Sequence, residues 1–322
     1  MVISVNERAV KLTEWGISHR EELNILVESE PGTGATILDL GVKTKGSFLA
    51  GKFMTEVCLA NLGQASISQI AFGNLYLPAI TVTTDFPSVA TLGSQFAGWQ
   101  IKNANYFAMG SGPARALALK PKELYQKINY KDEFQQTVLV LESDKYPDSE
   151  AIRYVADECH VDSKNIYALV APTSSLAGSV QISGRVVEAG VHRLTEIGFD
   201  PKKIRYGCGY APVAPIHPKA AIAMGRTNDA ITYGGVTSYS VESEDDTKLK
   251  EIVRKAPSSA SQDYGKTFYE AFKEAKYDFY KMDPGLFAPA MFIVNNVLTG
   301  VTYVAGKIND KVLTETMGIQ PA

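Results

Sequence analysis

Residues 166–198 constrain the fold more than any other stretch of the chain. The apolar run Ile166–Val170 has the length of a buried strand. It leads into A-P-T-S-S-L-A-G-S, a small-residue segment that lets a ligand approach the backbone closely. Val187, Val191, Leu194 and Gly198 then recur at spacings of three and four, the period of a helix lying on a core. Arg185 and Glu188 fall three apart on that helix and share a face. On spacing alone such a pair is a solvated surface contact contributing roughly 0–1 kcal/mol. Two features set it apart: the helix is otherwise polar only toward its C-terminal end, and the loop before it resembles the floor of a pocket.

Around this stretch the chain alternates element types without strict order. Ser4 and Glu7 fit a capping box, so a first helix is expected over about Val5–Trp15 with Gly16 as its stop. Strands are expected at Ala35–Val42, Ile67–Phe72, Ala79–Thr84, Tyr106–Met109, Thr137–Leu141, Ile166–Val170, Ile204–Tyr206 and Val236–Val241, after a turn within 283–296, and last at 300–306. Helices are expected at about Leu49–Asn61, closed by Gly63, at Ser149–Glu158, from Pro218 to about Arg226, up to about Lys255, and at Phe268–Tyr280. P-S-S-A-S at 257–261 is the most linker-like segment. Several strands run in sequence, which favours a mixed α+β fold over a doubly wound parallel sheet. Segments 79–116 and 166–215 echo each other as strand, Ser/Thr-rich loop, helix, strand and G-x-G turn. That echo is a sign of internal duplication. With 322 residues, two lobes are the default expectation.

Bulk properties exclude several classes. Apolar content of 45% and charged content of 21% are those of an ordinary globular protein. A net charge of −3 offers no handle for nucleic acid or an anionic membrane. The three cysteines, Cys58, Cys159 and Cys208, form no C-x-x-C pair, which points to a reducing cytoplasm and not to a disulfide framework. No run approaches the ~18 apolar residues of a membrane span, and V-I-S-V-N-E-R after Met1 is no secretion signal.

Familiar catalytic motifs fail. Gly46–Lys52 has the G-x-x-x-x-G-K skeleton, but Phe53 stands where a Mg²⁺-binding hydroxyl is needed, and Phe48 and Leu49 are bulky where a phosphate nest is needed. The expected alternative is a capped helix start with Lys52 on its surface. Gly110-Ser111-Gly112 lacks the third glycine of a dinucleotide fingerprint, because Arg115 occupies that place. His19, His160, His192 and His217 have no metal-ligand spacing, so no metal site is expected. His192, four residues after Glu188, is either its partner or a helix-surface histidine. Ser174 and Ser175 lack a nucleophile elbow. What remains is a carboxylate beside an arginine and small-residue loops. That set suits attack by water on a carbon that is already cationic: such a carbon needs a placed water and a base, not a Lewis acid.

These residues carry a family resemblance. V-N-E-R-A near the start, A-T-L-G-S-Q-F-A-G-W-Q at 90–100, F-A-M-G-S-G-P-A-R-A-L at 107–117, S-G-R-V-V-E at 183–188, Y-G-C-G-Y-A-P-V-A-P at 206–215 and M-D-P-G-L-F-A-P-A at 282–290 resemble methenyltetrahydromethanopterin cyclohydrolases, in order along nearly the whole chain. The resemblance implies hydrolysis of the cationic 5,10-methenyl bridge of the pterin to the 5-formyl form, as in methanogenesis. It implies two α/β-type lobes with an interlobe substrate cleft, no cofactor or metal beyond the pterin itself, and a homo-oligomer, a trimer. The family's catalytic glutamate falls on Glu188 and its partner arginine on Arg185. Ser94, Gln95, Gly110, Ser111, Gly112, Thr173, Ser174, Ser175, Gly207 and Tyr210, in small-residue loops, are candidate walls for a flat pterin ring. Two other readings stay open at this point: a formyl-transferring pterin enzyme, and a non-catalytic pterin-binding protein.

Overall fold

A computed structural model describes residues 3–276 and 281–320. Its strands, in chain order, are β1 (Leu26–Ser29), β2 (Thr36–Asp39), β3 (Gly63–Phe72), β4 (Leu75–Thr84), β5 (Trp99–Lys102), β6 (Phe107–Ser111), β7 (Thr137–Glu142), β8 (Ile166–Ala171), β9 (Ile204–Pro212), β10 (Val236–Val241), β11 (Met291–Asn296) and β12 (Thr302–Gly306). The helices are α1 (Val5–Ser18), α2 (Arg20–Leu23), α3 (Phe48–Cys58), α4 (Ala114–Ala118), α5 (Lys122–Ile128), α6 (Ser149–Cys159), α7 (Leu176–Ser183), α8 (Val186–Glu196), α9 (Ala220–Gly234), α10 (Asp246–Lys255), α11 (Phe268–Glu274) and α12 (Asp310–Thr316). The fold is mixed α+β. The chain divides into two compact units, residues 1–64 with 88–181 and residues 65–87 with 182–322.

The first unit is built on a six-stranded sheet of order β1-β2-β8-β7-β6-β5. Its centre, β2-β8-β7, is parallel, and the flanking strands are antiparallel. β8 is an apolar run because both of its faces are covered. Leu38, Val138, Val140 and Leu169 pack against α1, α3 and Ala177 of α7. Ile37, Leu139, Leu141, Ala168 and Val170 pack against the α6 stripe Ile152, Val155 and Cys159. Each fully buried aliphatic side chain there contributes about 1.5–3 kcal/mol.

The second unit holds the sheet β12-β11-β10-β9-β4-β3, in which β10 and β11 run parallel while β9 is antiparallel to both β10 and β4. Phe72, Leu77 and Ala79 form a cluster with Ala230 and Tyr233 of α9 and Val312 and Leu313 of α12.

Several expectations need correction. Ser4 caps α1 through the Glu7 amide (3.0 Å), but the Glu7 side chain pairs with Lys11 at 2.6 Å, and the helix runs on to Ser18. α3 ends not at Gly63, which opens β3, but through left-handed Ala60 and Asn61. The Gly46–Lys52 segment is a helix start capped by Ser47. A Cβ on Gly51 would lie 2.4 Å from that of Val180, so this glycine serves close helix packing, and Lys52 pairs with Glu56 at 2.8 Å. Residues 257–261 are no linker: Ser258 is fully buried and bonded to Pro289 and Thr232. α9 extends to Gly234, past the expected end near Arg226. Of the aromatic helix expected at Phe268–Tyr280, the part to Glu274 is present, and residues 277–280 lie outside the described residues.

Candidate active site

The small-residue segment after β8 is only briefly a loop. Ser175 caps a helix by accepting from the Gly178 amide (3.0 Å), and α7 runs from Leu176 to Ser183. There the chain breaks and restarts as α8, with Arg185 at the N-cap instead of inside the helix. Ser183 fastens the break by donating to the Pro212 carbonyl at the end of β9 (2.8 Å).

α8 sits close on its sheet because glycines make room. G-C-G-Y at 207–210 is not a turn but the middle of β9. A Cβ on Gly207 would lie 3.0 Å from Val187, and one on Gly209 would lie 3.2 Å from it. On the helix side, a Cβ on Gly190 would stand 2.1 Å from the Tyr239 hydroxyl. That hydroxyl instead donates to the Val187 carbonyl (2.8 Å), tying β10 to the first turn of α8. Burial pushes the Tyr239 hydroxyl pKa up, and the nearby charge of Glu188 adds to the shift.

This seat fixes Glu188. It lies in the first turn of α8, where unsatisfied backbone N–H groups favour a negative charge. The residue is 7% exposed. Arg185 Nη1 lies 3.7 Å from Glu188 Oε2, and the two side chains are 12% and 9% exposed. The pair is therefore not a solvated surface contact: water neither screens it fully nor solvates it freely. A partly dry carboxylate held by a guanidinium can accept a proton from a small molecule placed against it. His192 turns to Glu196 (3.9 Å), one turn further along the helix. Among the described residues no group of three His, Cys, Asp or Glu is placed to hold a metal ion.

Comparison with known proteins bears on this arrangement. The family described as Cyclohydrolase (MCH) matches residues 4–317. Similar proteins include the methenyltetrahydromethanopterin cyclohydrolases of Methanococcoides burtonii, 48% identical over 99% of both chains, and of Methanocaldococcus jannaschii, 47% identical over 98% of this chain and 99% of the relative. The enzyme of that name from Methanothermobacter marburgensis is 47% identical over 99% of this chain and all of the relative. The chain belongs to this cyclohydrolase family. No helix among the described residues is long and apolar enough to cross a membrane.

The other expected contact residues of this cyclohydrolase fall into groups. In the first unit, Ser94, Gln95, Ser111 and Gly112 converge. The Gly112 amide donates to the Ser94 carbonyl (2.9 Å), the Ser94 hydroxyl to Cys58 O (2.7 Å), and Cys58 Sγ lies 3.4 Å from Ser111 Oγ. Ser94 and Gln95 end a π-helical turn, Ser88–Gln95, a rare conformation that recurs at functional sites. Gly110 and Ser111 belong to β6 and not to a turn. Gly112 alone of the three has a positive φ, +92°. Thr173, Ser174 and Ser175 form a second group at the C-terminal end of β8. In the second unit, Gly207 and Tyr210 are strand residues. Gly207 serves the seating of α8, and Tyr210 packs on Phe72 with ring centroids 5.8 Å apart. A cavity of about 300 Å³ in this unit is lined by Gly207, Tyr206, Cys208, Ser238 and Asn295 and includes neither Arg185 nor Glu188.

Two residues escaped sequence reasoning. Arg115, read only as the residue that spoils a fingerprint, is fully buried. It donates to the carbonyls of Lys120 (2.7 Å), Ser94 (3.0 Å) and Leu92 (3.2 Å), holding the end of the π-helical turn. No sequence pattern announces a guanidinium that caps carbonyls. Glu142, last in β7, accepts a hydrogen bond from Thr173. Its place directly after an apolar run was the available signal.

Proposed function

We propose that this cyclohydrolase adds water across the methenyl bridge of methenyltetrahydromethanopterin and opens it to the 5-formyl form, with Glu188 as the general base. The observation that carries the reading is the shielded Arg185–Glu188 pair in the first turn of α8, in a chain of this family. The bridge carbon lies between two nitrogens that share a positive charge, so it is electrophilic without a cofactor. Glu188 accepts a proton as water attacks that carbon, and a neutral hydroxy adduct forms. The same proton passes from Glu188 to N10 as the carbon–N10 bond breaks. The adduct's hydroxyl proton leaves to solvent, so one proton is released per cation hydrolysed. Arg185 aims the carboxylate and keeps it ionised. A carboxylate also stabilises the cationic substrate, so only placement that favours the transition state more accelerates the step.

Contacts from Ser94, Gln95, Gly110–Gly112, Thr173, Ser174, Gly207 and Tyr210 to the pterin are part of the proposal, as is assembly into a homotrimer in the cytoplasm. The deciding assay mixes the protein with methenyltetrahydromethanopterin and no second substrate, and follows loss of the methenyl absorbance. Turnover without an acceptor supports the hydrolase. Turnover only with an acceptor present, or binding without turnover, refutes it. Light scattering that returns one chain mass would remove the trimer.

A further inference from the structure

The sheet of the first unit has a topological switch point. β7 and β8 are parallel neighbours, with Glu142 opposite Ala171 at their C-terminal ends. From β7 the chain passes to α6, which packs on the face of Leu139, Leu141, Ala168 and Val170. From β8 it passes to α7, whose Ala177 packs on the opposite face with Val138, Val140 and Leu169. Where adjacent parallel strands send the chain to opposite faces, the two connections splay apart. The crevice outside their carboxyl ends is the usual ligand position in an open α/β sheet.

The polar groups at that crevice are not equivalent. Ser175 is committed to capping α7, and its hydroxyl also donates to the Pro172 carbonyl (2.8 Å). Asp39, at the end of β2, is fully buried and saturated: it accepts from the amides of Gly41, Val42, Lys43 and Thr44 and from the Tyr146 hydroxyl (3.0 Å). Glu142 differs. It is half-buried, and its Oε1 accepts from the Thr173 hydroxyl, which fixes the plane of the carboxylate. Its Oε2 accepts no hydrogen bond among the described residues. An ionised carboxylate has about four acceptor sites, so this one, oriented by a buried threonine on a rigid strand end, has capacity for two more donors.

We propose that Glu142, oriented by Thr173, binds the 2-amino-4-oxopyrimidine edge of the pterin. That edge presents a ring N–H and an exocyclic amino N–H side by side and parallel, the donor pair that a carboxylate accepts in bidentate fashion. The assignment rests on the reading of the chain as a methenylpterin hydrolase and adds the group that distinguishes a pterin from its 2-oxo counterpart. Glu142 is a specificity residue for the pyrimidine edge, which lies at the other end of the pterin from the methenyl bridge, so it acts on KM and not on the bond-making step.

The test uses the full-length protein and the dissociation constants, by titration calorimetry, of two fragments, 6-methylpterin and 6-methyllumazine, the second carrying a carbonyl oxygen in place of the amino group. Wild type is expected to bind the pterin at least tenfold more tightly than the lumazine, because the lumazine turns an acceptor toward the carboxylate. E142Q is expected to bring that ratio near one and to raise KM for the methenylpterin at least tenfold, with kcat within a few-fold of wild type. T173V keeps the carboxylate and loses its orienting donor, and is expected to reduce the ratio two- to fivefold. A wild-type protein that hydrolyses the methenylpterin yet shows no fragment preference overturns the assignment, as does an unchanged ratio in both variants. Absence of turnover by wild type would instead sink the hydrolase reading, while the fragment ratio, a pure binding measurement, would still report on Glu142.

Discussion

Replacing Glu188 by glutamine keeps the volume and shape of the side chain and removes its ability to hold a proton. Loss of a positioned general base costs 10²–10⁴-fold in rate, equivalent to about 3–5 kcal/mol of activation free energy. The cost in stability is smaller. Arg185 lies 3.7 Å from the carboxylate and keeps 12% side-chain exposure. At that distance the contact is an ion pair and not a hydrogen bond, and the remaining water access of Arg185 holds the loss of charge attraction to about 1–3 kcal/mol, below the roughly 3–5 kcal/mol of a fully buried pair. A chain of this size then melts only a few degrees lower. Turnover of methenyltetrahydromethanopterin should therefore fall at least a hundredfold in a protein whose circular dichroism and melting curve stay close to wild type. The wild-type rate should also decline at acid pH as the base is protonated, and the residual E188Q rate should lose that limb. A variant whose kcat stays within about tenfold of wild type refutes the assignment of Glu188 as the base.

Three further perturbations have defined outcomes. R185A removes the cation that favours the ionised carboxylate, so the acid limb of kcat/KM against pH should move to higher pH; an unmoved limb assigns Arg185 to the fold alone. G190A places a methyl 2.1 Å from the Tyr239 hydroxyl, which is buried and already bonded to Val187 and has nowhere to retreat. A loss of about 1–3 kcal/mol is expected by denaturant titration, with reduced kcat because α8 carries Glu188. Asp229, fully buried on α9, accepts from the Phe268 amide (2.8 Å) and the Thr316 hydroxyl (2.5 Å), and burial raises its pKa to about 7. Its folded state therefore holds a proton that the unfolded chain releases near pH 4, so its contribution to stability is complete below pH 4 and is lost as pH rises through 7. D229N should flatten that decline, by up to about 4 kcal/mol between pH 4 and 8; equal pH slopes for both proteins would show that burial does not bind this proton.

Much of the chain was legible locally. The Ile166–Val170 run, the Ser149–Glu158 helix and the 3.6-residue period after Arg185 express the backbone's own geometry, so the strand and α6 stand where the sequence places them, while α8 begins just after Arg185. The contact of Arg185 with Glu188 was legible for the same reason: a charge three residues from its counter-charge on an otherwise apolar helix face is a local pattern. The glycines were misread. G-C-G-Y looks like a turn because glycine is common in turns, but at 207–210 it lies within a strand, and its missing side chains admit Val187 of a helix that arrives about 20 residues earlier in the chain. The supposed linker at 257–261 failed in the same way, since Ser258 is buried and bonded to Thr232 and Pro289.

The sequence alone determined most strands and helices with a clear apolar period, the mixed α+β class and the spacing that lets Arg185 meet Glu188, because each depends on neighbours within one or two helical turns. The packing of distant segments settled how dry that pair is, that Arg115 caps the carbonyls of a π-helical turn, and that the chain leaves β7 and β8 toward opposite faces of the sheet beside Glu142. Those properties are set by which distant segments a side chain is packed against, and burial and hydrogen-bond partners across such distances leave no periodic trace in the order of residues.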